Sequence, residues 1–362
     1  MSILVTENPP FPHPSPAARG FRMPAEWDRH EATWLTWPHC QDTWPGVDLA
    51  EFAEPAYVAM VEALCVGETV NVAVGSDEHA AAVARRLGAA GIATGAGTNV
   101  RLRVVPTDDE WVRDYGALFV RNGRGERLAT DWLFNAWGGK YDRTERNNTV
   151  PAAMAAVHGA ERVDCPIVME GGSVDVNGAG LALTTESCLL NPNRNPGLSR
   201  ADIEAWLAAG LGIDELVWLG DGVAGDDTDG HVDDMARFVA ERTVVTVVEP
   251  DPADANHEPL ADSLARLRAW RGRDGRGLDV VTLPMPAPVF HGEERLPASY
   301  ANFLISNAAV LLPVFDDPND AVAVETMQRL FPGRRVAPIP ARRLVWGLGA
   351  CHCLSQHVPA GR

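Results

Sequence analysis

Near the end of the chain two cysteines bracket one histidine, Cys351-His352-Cys353, directly after the run Gly347-Leu348-Gly349-Ala350. Such a triplet could ligate a metal, close a disulfide or supply a nucleophile. A structural zinc site would want a second ligand pair at close spacing, and this pair stands alone. A disulfide across one residue would be a strained ring, which leaves a thiolate nucleophile as an open reading. Three further stretches put ionisable residues where the periodicity predicts strand ends. In "DDEWVRDYGALFV" Trp111, Arg113 and Asp114 precede an apolar strand, and in "MEGGSVDVNG" Glu170 precedes two glycines. "DDTDGHVDDMARFV" holds His231 and Asp233 two apart, which in an extended segment points both to one side. An acid before a strand is, taken alone, most often a solvated turn; the joint occurrence carries the weight.

The elements that must position these residues recur in one order. "VNVAV" from Val70 leads through a polar turn into the Ala-rich "AAAVARRLGAAG" and then to "VRLRVV" from Val100. The order returns in "LALTTESCLL", "ADIEAWLAAGLG" and "LVWLG"; in "VVTVVEP", "PLADSLARLRAW" and "DVVTLPMP"; and in the run from Ala309 to Ala341. Each copy switches from strand to helix period and back. The copies share a pattern and little sequence, which predicts similar β/α units packed around a centre within one domain. A doubly wound sheet would give nearly the same strings.

The chain has 362 residues, 46% hydrophobic and 22% charged, enough for a substantial core. Lys+Arg total 31 against Asp+Glu 49, a net charge of -18, which argues against nucleic acid and favours a cationic small molecule as partner. The proline-rich start, residues 1–20, reads as an extended arm without the apolar core of a secretion signal. No stretch offers the roughly 18 uninterrupted apolar residues of a membrane helix. The six cysteines read as reduced thiols of a cytoplasmic protein. Homo-oligomer formation stays open.

Taken together, "FRMPAEWDRHEATWLTWP", "DDEWVRDYG", "FNAWGGKYD", "EGGSVDVNG", "LTTESCLLNPNRNP", "DTDGHVDDMARF", "SYANFLISN" and "HCLSQ" resemble the agmatine deiminase and bacterial peptidylarginine-deiminase family, from about Phe21 to Gln356. The resemblance implies an α/β fold, a five-bladed α/β-propeller of pseudo-fivefold ββαβ repeats, forming one catalytic domain over residues 21–362 with its site on the central axis. It implies that Asp114 and Asp233 hold a guanidinium, that Cys353 is the nucleophile, and that His231 transfers protons with Glu170 orienting it. Trp111 and Gly349 are expected beside the substrate. No cofactor and no metal is implied. The residue types suit the chemistry: carboxylates grip the N–H edges of a planar cation, a thiolate attacks its central carbon, and imidazole moves protons near neutral pH. His352 is expected to pack or to bond to backbone, and Cys351 to be a bystander.

The chain departs from the family pattern at Gly347-Leu348-Gly349-Ala350, where three glycines and an asparagine are usual, and at Tyr115 and Ala117. These departures alter the wall near the nucleophile. Of the cations that could clamp a carboxylate-bearing substrate, Arg113 should point away from Asp114 along a strand, and Arg194 stays open. The expected reaction is hydrolysis of agmatine, or a related alkylguanidine, to a ureido product and ammonia. Peptidyl-arginine deimination or amidino transfer within the same superfamily are alternatives. A manganese ureohydrolase, suggested by "DGHVDD", would leave Cys353 unused, and a non-catalytic cation binder would need no nucleophile.

Overall fold

The computed structural model describes Phe11 and residues 14–361. β-branched and apolar residues in "TVNVAV" build the strand Thr69–Val74, buried on both faces after its first residue. Ser76 then starts the helix Asp77–Ala89, its side chain accepting from the His79 N–H at 3.1 Å, with Asp77 and Glu78 in the first turn where the helix dipole favours acids. The helix Arg200–Leu211 opens with a Ser199/Asp202 capping box and stops at Gly212, whose φ of 71° is left-handed.

These devices repeat. In four sheets an antiparallel strand pair is followed by a helix and a third strand parallel to the second. The strands are Leu118–Asn122, Arg127–Leu133 and Glu161–Val168; Asp175–Val176, Leu181–Thr185 and Glu215–Leu219; Ala236–Ala240, Thr243–Val248 and Asp279–Pro284; and Leu304–Ile305, Ala309–Val314 and Arg335–Pro340. In the fifth, His30–Thr36 pairs in parallel with Thr69–Val74, which pairs with Val100–Val104, and the antiparallel neighbour comes from the other end of the chain. Ser355–Pro359 lies against His30–Thr36, with Ser355 opposite Leu35 and Gln356 opposite Trp34. This closure fixes Cys353, two residues upstream. The mixed α/β architecture agrees with the predicted units. Two apolar clusters hold it: a large one including Trp34, Trp44, Tyr57 and Phe303, and a smaller one around Trp132, Ile203 and Leu207.

Two local expectations are corrected. Val112–Tyr115 is a helical turn, closed by the Gly116 N–H to the Val112 carbonyl at 2.9 Å, so Arg113 and Asp114 do not alternate along a strand. Val232–Asp234 is a 3-10 turn, not an extended segment. Residues 1–10, 12 and 13 of the expected arm lie outside the described residues. Within the rest of the arm, Ala17–Arg19 is a 3-10 turn and Phe11 lies against Trp206 with ring centroids 4.9 Å apart. No helix among the described residues is long and apolar enough to cross a membrane.

Candidate active site

Cys353 sits in the turn between the 3-10 segment Leu344–Gly347 and the closing strand. Asn302 holds that turn: its Oδ1 accepts from the N–H groups of His352 (3.0 Å) and Cys353 (3.3 Å). Its Nδ2 donates to Cys353 Sγ and to Asp234 Oδ1, both at 2.9 Å. The thiol points at Asp233 Oδ2, 3.6 Å away. Burial pushes this thiol well above the usual range, and the Asp233, Asp234 and Asp114 carboxylates add to the rise against the Asn302 hydrogen bond. The resting group is a protonated thiol. A cation placed beside it would offset the part of the rise that the carboxylates contribute.

Asp114 reaches the same centre from the turn Val112–Tyr115. Its Oδ2 accepts from Trp137 Nε1 (2.9 Å) and its Oδ1 from the Gly172 N–H (3.0 Å). Burial pushes Asp114 up to about 6; Asp233 adds to the rise and His231 opposes it. His231 Nδ1 lies 3.7 Å from Asp114 Oδ1, and its Nε2 3.9 Å from Glu170 Oε2. Burial alone would push the imidazole down, but Asp114, with Cys188 and Glu170, outweighs it and holds His231 well above the usual histidine range. Glu170 is anchored at Oε1 by Arg194 Nε at 2.7 Å. Burial would raise Glu170, and His231 and Arg194 bring it below the ordinary carboxylate range. Gly172 is where these groups meet: a Cβ there would stand 2.6 Å from His231 Nδ1, 2.8 Å from Asp114 Oδ1 and 3.1 Å from Asp233 Oδ2. Only glycine fits.

Asp233 shows what the sequence reading missed. Its Oδ2 is 2.6 Å from His352 Nδ1, and His352 Nε2 is 2.9 Å from Glu26 Oε2. His352 therefore bridges two buried carboxylates, correcting the expectation of packing or a backbone bond. Burial would raise Asp233; His352, ahead of His231 and Arg237, brings it below its ordinary value. Glu26 is held by Arg237 (2.9 Å) and Arg113 (3.4 Å), so Arg113 points away from the cavity, as expected, though from a helical turn. Among the described residues, buried atoms without a hydrogen-bond partner include Glu170 Oε2, both ring nitrogens of His231, and Asp233 Oδ1. So many unmet polar atoms in one place mark a site built for a polar guest.

A cavity of about 350 Å³ opens onto this centre, with Asp114 and Cys353 among its lining residues. His231, Glu170 and Asp233, all fully buried, stand behind them. Trp111, Trp137, Leu296 and Leu348 supply apolar wall, and Asp42, Asp227 and Glu294 add acidic groups. Trp111 is buried, and a Cβ on Gly349 would be 2.5 Å from its ring and 3.0 Å from Cys353 Cβ, so the room beside Gly349 belongs to the Trp111 ring. The cavity is also lined by Arg143, which the motifs did not single out; its Nη2 is held by Asp42 at 3.1 Å. Arg194 is committed to Glu170, Asp229 and the Thr228 carbonyl. Cys351 is buried, is not among the residues lining the cavity, and is a free thiol like Cys353.

Among the described residues, two trios bring potential ligand atoms within 4.8 Å of one another: Glu170, Cys188 and His231, and Asp233, Asp234 and Cys353. The Arg194 guanidinium beside Glu170 and the raised basicity of His231 oppose a metal cation in the first. The second joins two carboxylates to a thiol, a set that suits a bound cation of either kind.

This arrangement, a buried thiol and histidine ringed by carboxylates on an α/β frame, is that of a guanidine-directed deiminase. The chain belongs to the Porphyromonas-type peptidyl-arginine deiminase family, whose model matches residues 22–359. Within it, this chain is similar to the agmatine deiminase of Ectopseudomonas mendocina, 39% identical over 96% of this chain and 97% of that protein. The solved agmatine deiminase of Enterococcus faecalis superposes with a TM-score of 0.89 at 32% identity, covering 96% of this chain and 98% of that one. A C. jejuni agmatine deiminase variant solved with substrate bound superposes with a TM-score of 0.83 at 29% identity, covering 94% and 97%.

Proposed function

We propose that this protein hydrolyses agmatine to N-carbamoylputrescine and ammonia through a covalent intermediate on Cys353. The observation that carries the reading is the set of buried, unpartnered polar atoms on Glu170, His231 and Asp233 around one thiol, behind a cavity with aromatic and acidic walls. A guanidinium supplies the N–H donor that Asp233 Oδ1 lacks and a further, charged partner for Asp114, each charge-assisted bond contributing about 1.5–3 kcal/mol. The arriving cation offsets the carboxylates that hold the Cys353 proton; that proton leaves to solvent through the cavity, and the thiolate forms. Sulfur attacks the guanidinium carbon. His231, protonated and oriented by Glu170, gives its proton to the leaving nitrogen, and ammonia departs to leave an S-alkylthiouronium on Cys353. His231 then takes one proton from water as the water oxygen bonds to the same carbon; the C–S bond breaks, the remaining hydroxyl proton passes to solvent as the C=O forms, and the ureido product leaves with the thiolate restored. Trp111 flanks the flat cation and adds about 0.5–2 kcal/mol. Every step uses carboxylates, imidazole and thiolate, so the reaction proceeds without metal or cofactor.

The five sheets built on a parallel strand pair, set apart from the two-stranded hairpin Phe290–His291 with Glu294–Arg295, support a pseudo-fivefold α/β-propeller in which residues 21–362 form one catalytic domain, with the site where the units converge. The relatives' activity on agmatine supports the same substrate here. The acidic lining supports a dicationic substrate over one with a carboxylate, because Arg143 faces Asp42 and shares the wall with Asp227 and Glu294. The protein works in the cytoplasm, and one further decarbamoylation of its product gives putrescine, a polyamine.

The test is to incubate purified protein with agmatine, arginine, 4-guanidinobutyrate and a C-terminal arginyl peptide, and to assay ammonia, urea and the ureido product. Ammonia and N-carbamoylputrescine in equal amounts from agmatine are expected. Urea in place of ammonia, with activity restored only by manganese, would reassign the protein as a ureohydrolase.

A further inference from the structure

Leu348 has a left-handed backbone, φ 73°. That region is disfavoured for a residue with a bulky side chain, and glycine takes it freely. The two flanking residues are glycines for a steric reason. A Cβ on Gly347 would stand 2.8 Å from the Trp44 ring, and one on Gly349 would stand 2.5 Å from the Trp111 ring. The backbone of this turn is thus pinned between two tryptophans, and Leu348 is the position among the three that has room for a side chain. That side chain is half-buried and lines the cavity whose other lining residues include Cys353 and Asp114. A bulky residue kept in a strained conformation, where the surroundings determine the backbone, is a feature of ligand clamps.

We infer that Leu348 is a specificity-determining residue. It packs against the methylene stem of the substrate and occupies the space that a substituent on the stem's far carbon would need. The inference rests on the alkylguanidine reading above and deepens it. With the guanidinium carbon at Cys353 Sγ, the stem runs outward through the cavity that Cys353, Asp114 and Leu348 line together, and so past Leu348. An unbranched alkylguanidine passes there. An α-branched one, such as arginine in a peptide or as a free amide, meets the leucine.

Charge and branching are separated by comparing agmatine with arginine amide, which keeps both cationic ends and adds only an uncharged branch. The quantity read is the ratio of kcat/KM for arginine amide to that for agmatine. Leu348→Gly removes both bulk and strain, and Leu348→Ala removes bulk alone; both should raise the ratio by about tenfold or more, mainly through KM for arginine amide. Leu348→Asn keeps most of the bulk with a residue that tolerates a left-handed backbone, and should leave the ratio within about threefold of wild type. Circular dichroism confirms the fold of each variant, and the Gly and Ala variants stand in for one another should either fail to fold. An unchanged ratio in the folded Gly or Ala variant would overturn the inference, as would an equal rise in the Asn variant. Absence of agmatine turnover in the wild-type protein would instead overturn the function on which the inference rests, so the two failures are distinguishable.

Discussion

At Cys353 and Asp114 the chemistry turns on where two protons sit. Because the resting thiol is held protonated by burial and three carboxylates, alkylation by iodoacetamide should be slow at neutral pH and climb steadily as pH rises beyond the ordinary thiol range. A fast, pH-independent reaction near neutrality would contradict that state. Cys353→Ala should abolish turnover with the fold intact by circular dichroism, while Cys351→Ala keeps most activity. Asp114 is pushed up to about 6, and in the proposed mechanism its anionic form holds the substrate. Since kcat/KM reports the free enzyme, it should be high above that pH and fall as pH drops through it and Asp114 takes a proton. Asp114→Asn should lower kcat/KM by about tenfold or more at neutral pH and remove the acidic limb. Retention of that limb in the variant would assign it to another group. The sequence offered these residues through their types: acids, a histidine and a cysteine near predicted strand ends. It did not offer His352 as a bridge between Asp233 and Glu26, because Glu26 is far away in the sequence and the motif that holds it does not show which side chains the fold brings against it. Asn302 was hidden in the same way, its hold on Cys353 being visible only once the turn is in place.

Short turns, more than strands, carry the site. Asp114 rides on Val112–Tyr115, His231 and Asp233 flank or occupy Val232–Asp234, and Gly172 belongs to Gly171–Ser173. Four residues cannot display a helical period, so "VRDY" read as the approach to a strand, whereas the longer helices, such as Arg200–Leu211 with its cap residues, were legible. The turn at Gly171–Ser173 makes a sharp prediction. Gly172→Ala places a methyl within 2.6 Å of His231 Nδ1 and 2.8 Å of Asp114 Oδ1; it should cut kcat by about a hundredfold or more in protein that circular dichroism shows to be folded, since the disturbed geometry is that of the proposed reacting groups. Near wild-type kcat in that variant would remove Gly172 from the centre. The closing strand matters equally: truncation before Ser355 removes the neighbour of His30–Thr36 and should give insoluble protein, checked by the soluble fraction on expression.

Across the whole molecule, the net charge of -18 and the acidic residues of the cavity should draw in a dication from a distance. Raising ionic strength from about 0.05 to about 0.5 M shortens the screening length several-fold and should lower kcat/KM for agmatine by about threefold or more, with a smaller effect on net-monocationic arginine. A flat salt response would restrict the charge to a role in solubility. The repeated strand–helix–strand units were legible because each carries its own periodicity. The pairing of Ser355–Pro359 with His30–Thr36 was not, because a partner at the opposite end of the chain leaves no local pattern. The proposed reaction depends on covalent catalysis at Cys353, and the intact mass of the protein, acid-quenched during turnover of agmatine, tests it most directly. Wild-type protein should show a transient adduct with the mass of agmatine less ammonia, mapped by peptide digestion to Cys353 and absent from Cys353→Ala; steady turnover by the Cys353→Ala variant, or an adduct on another residue, would contradict it.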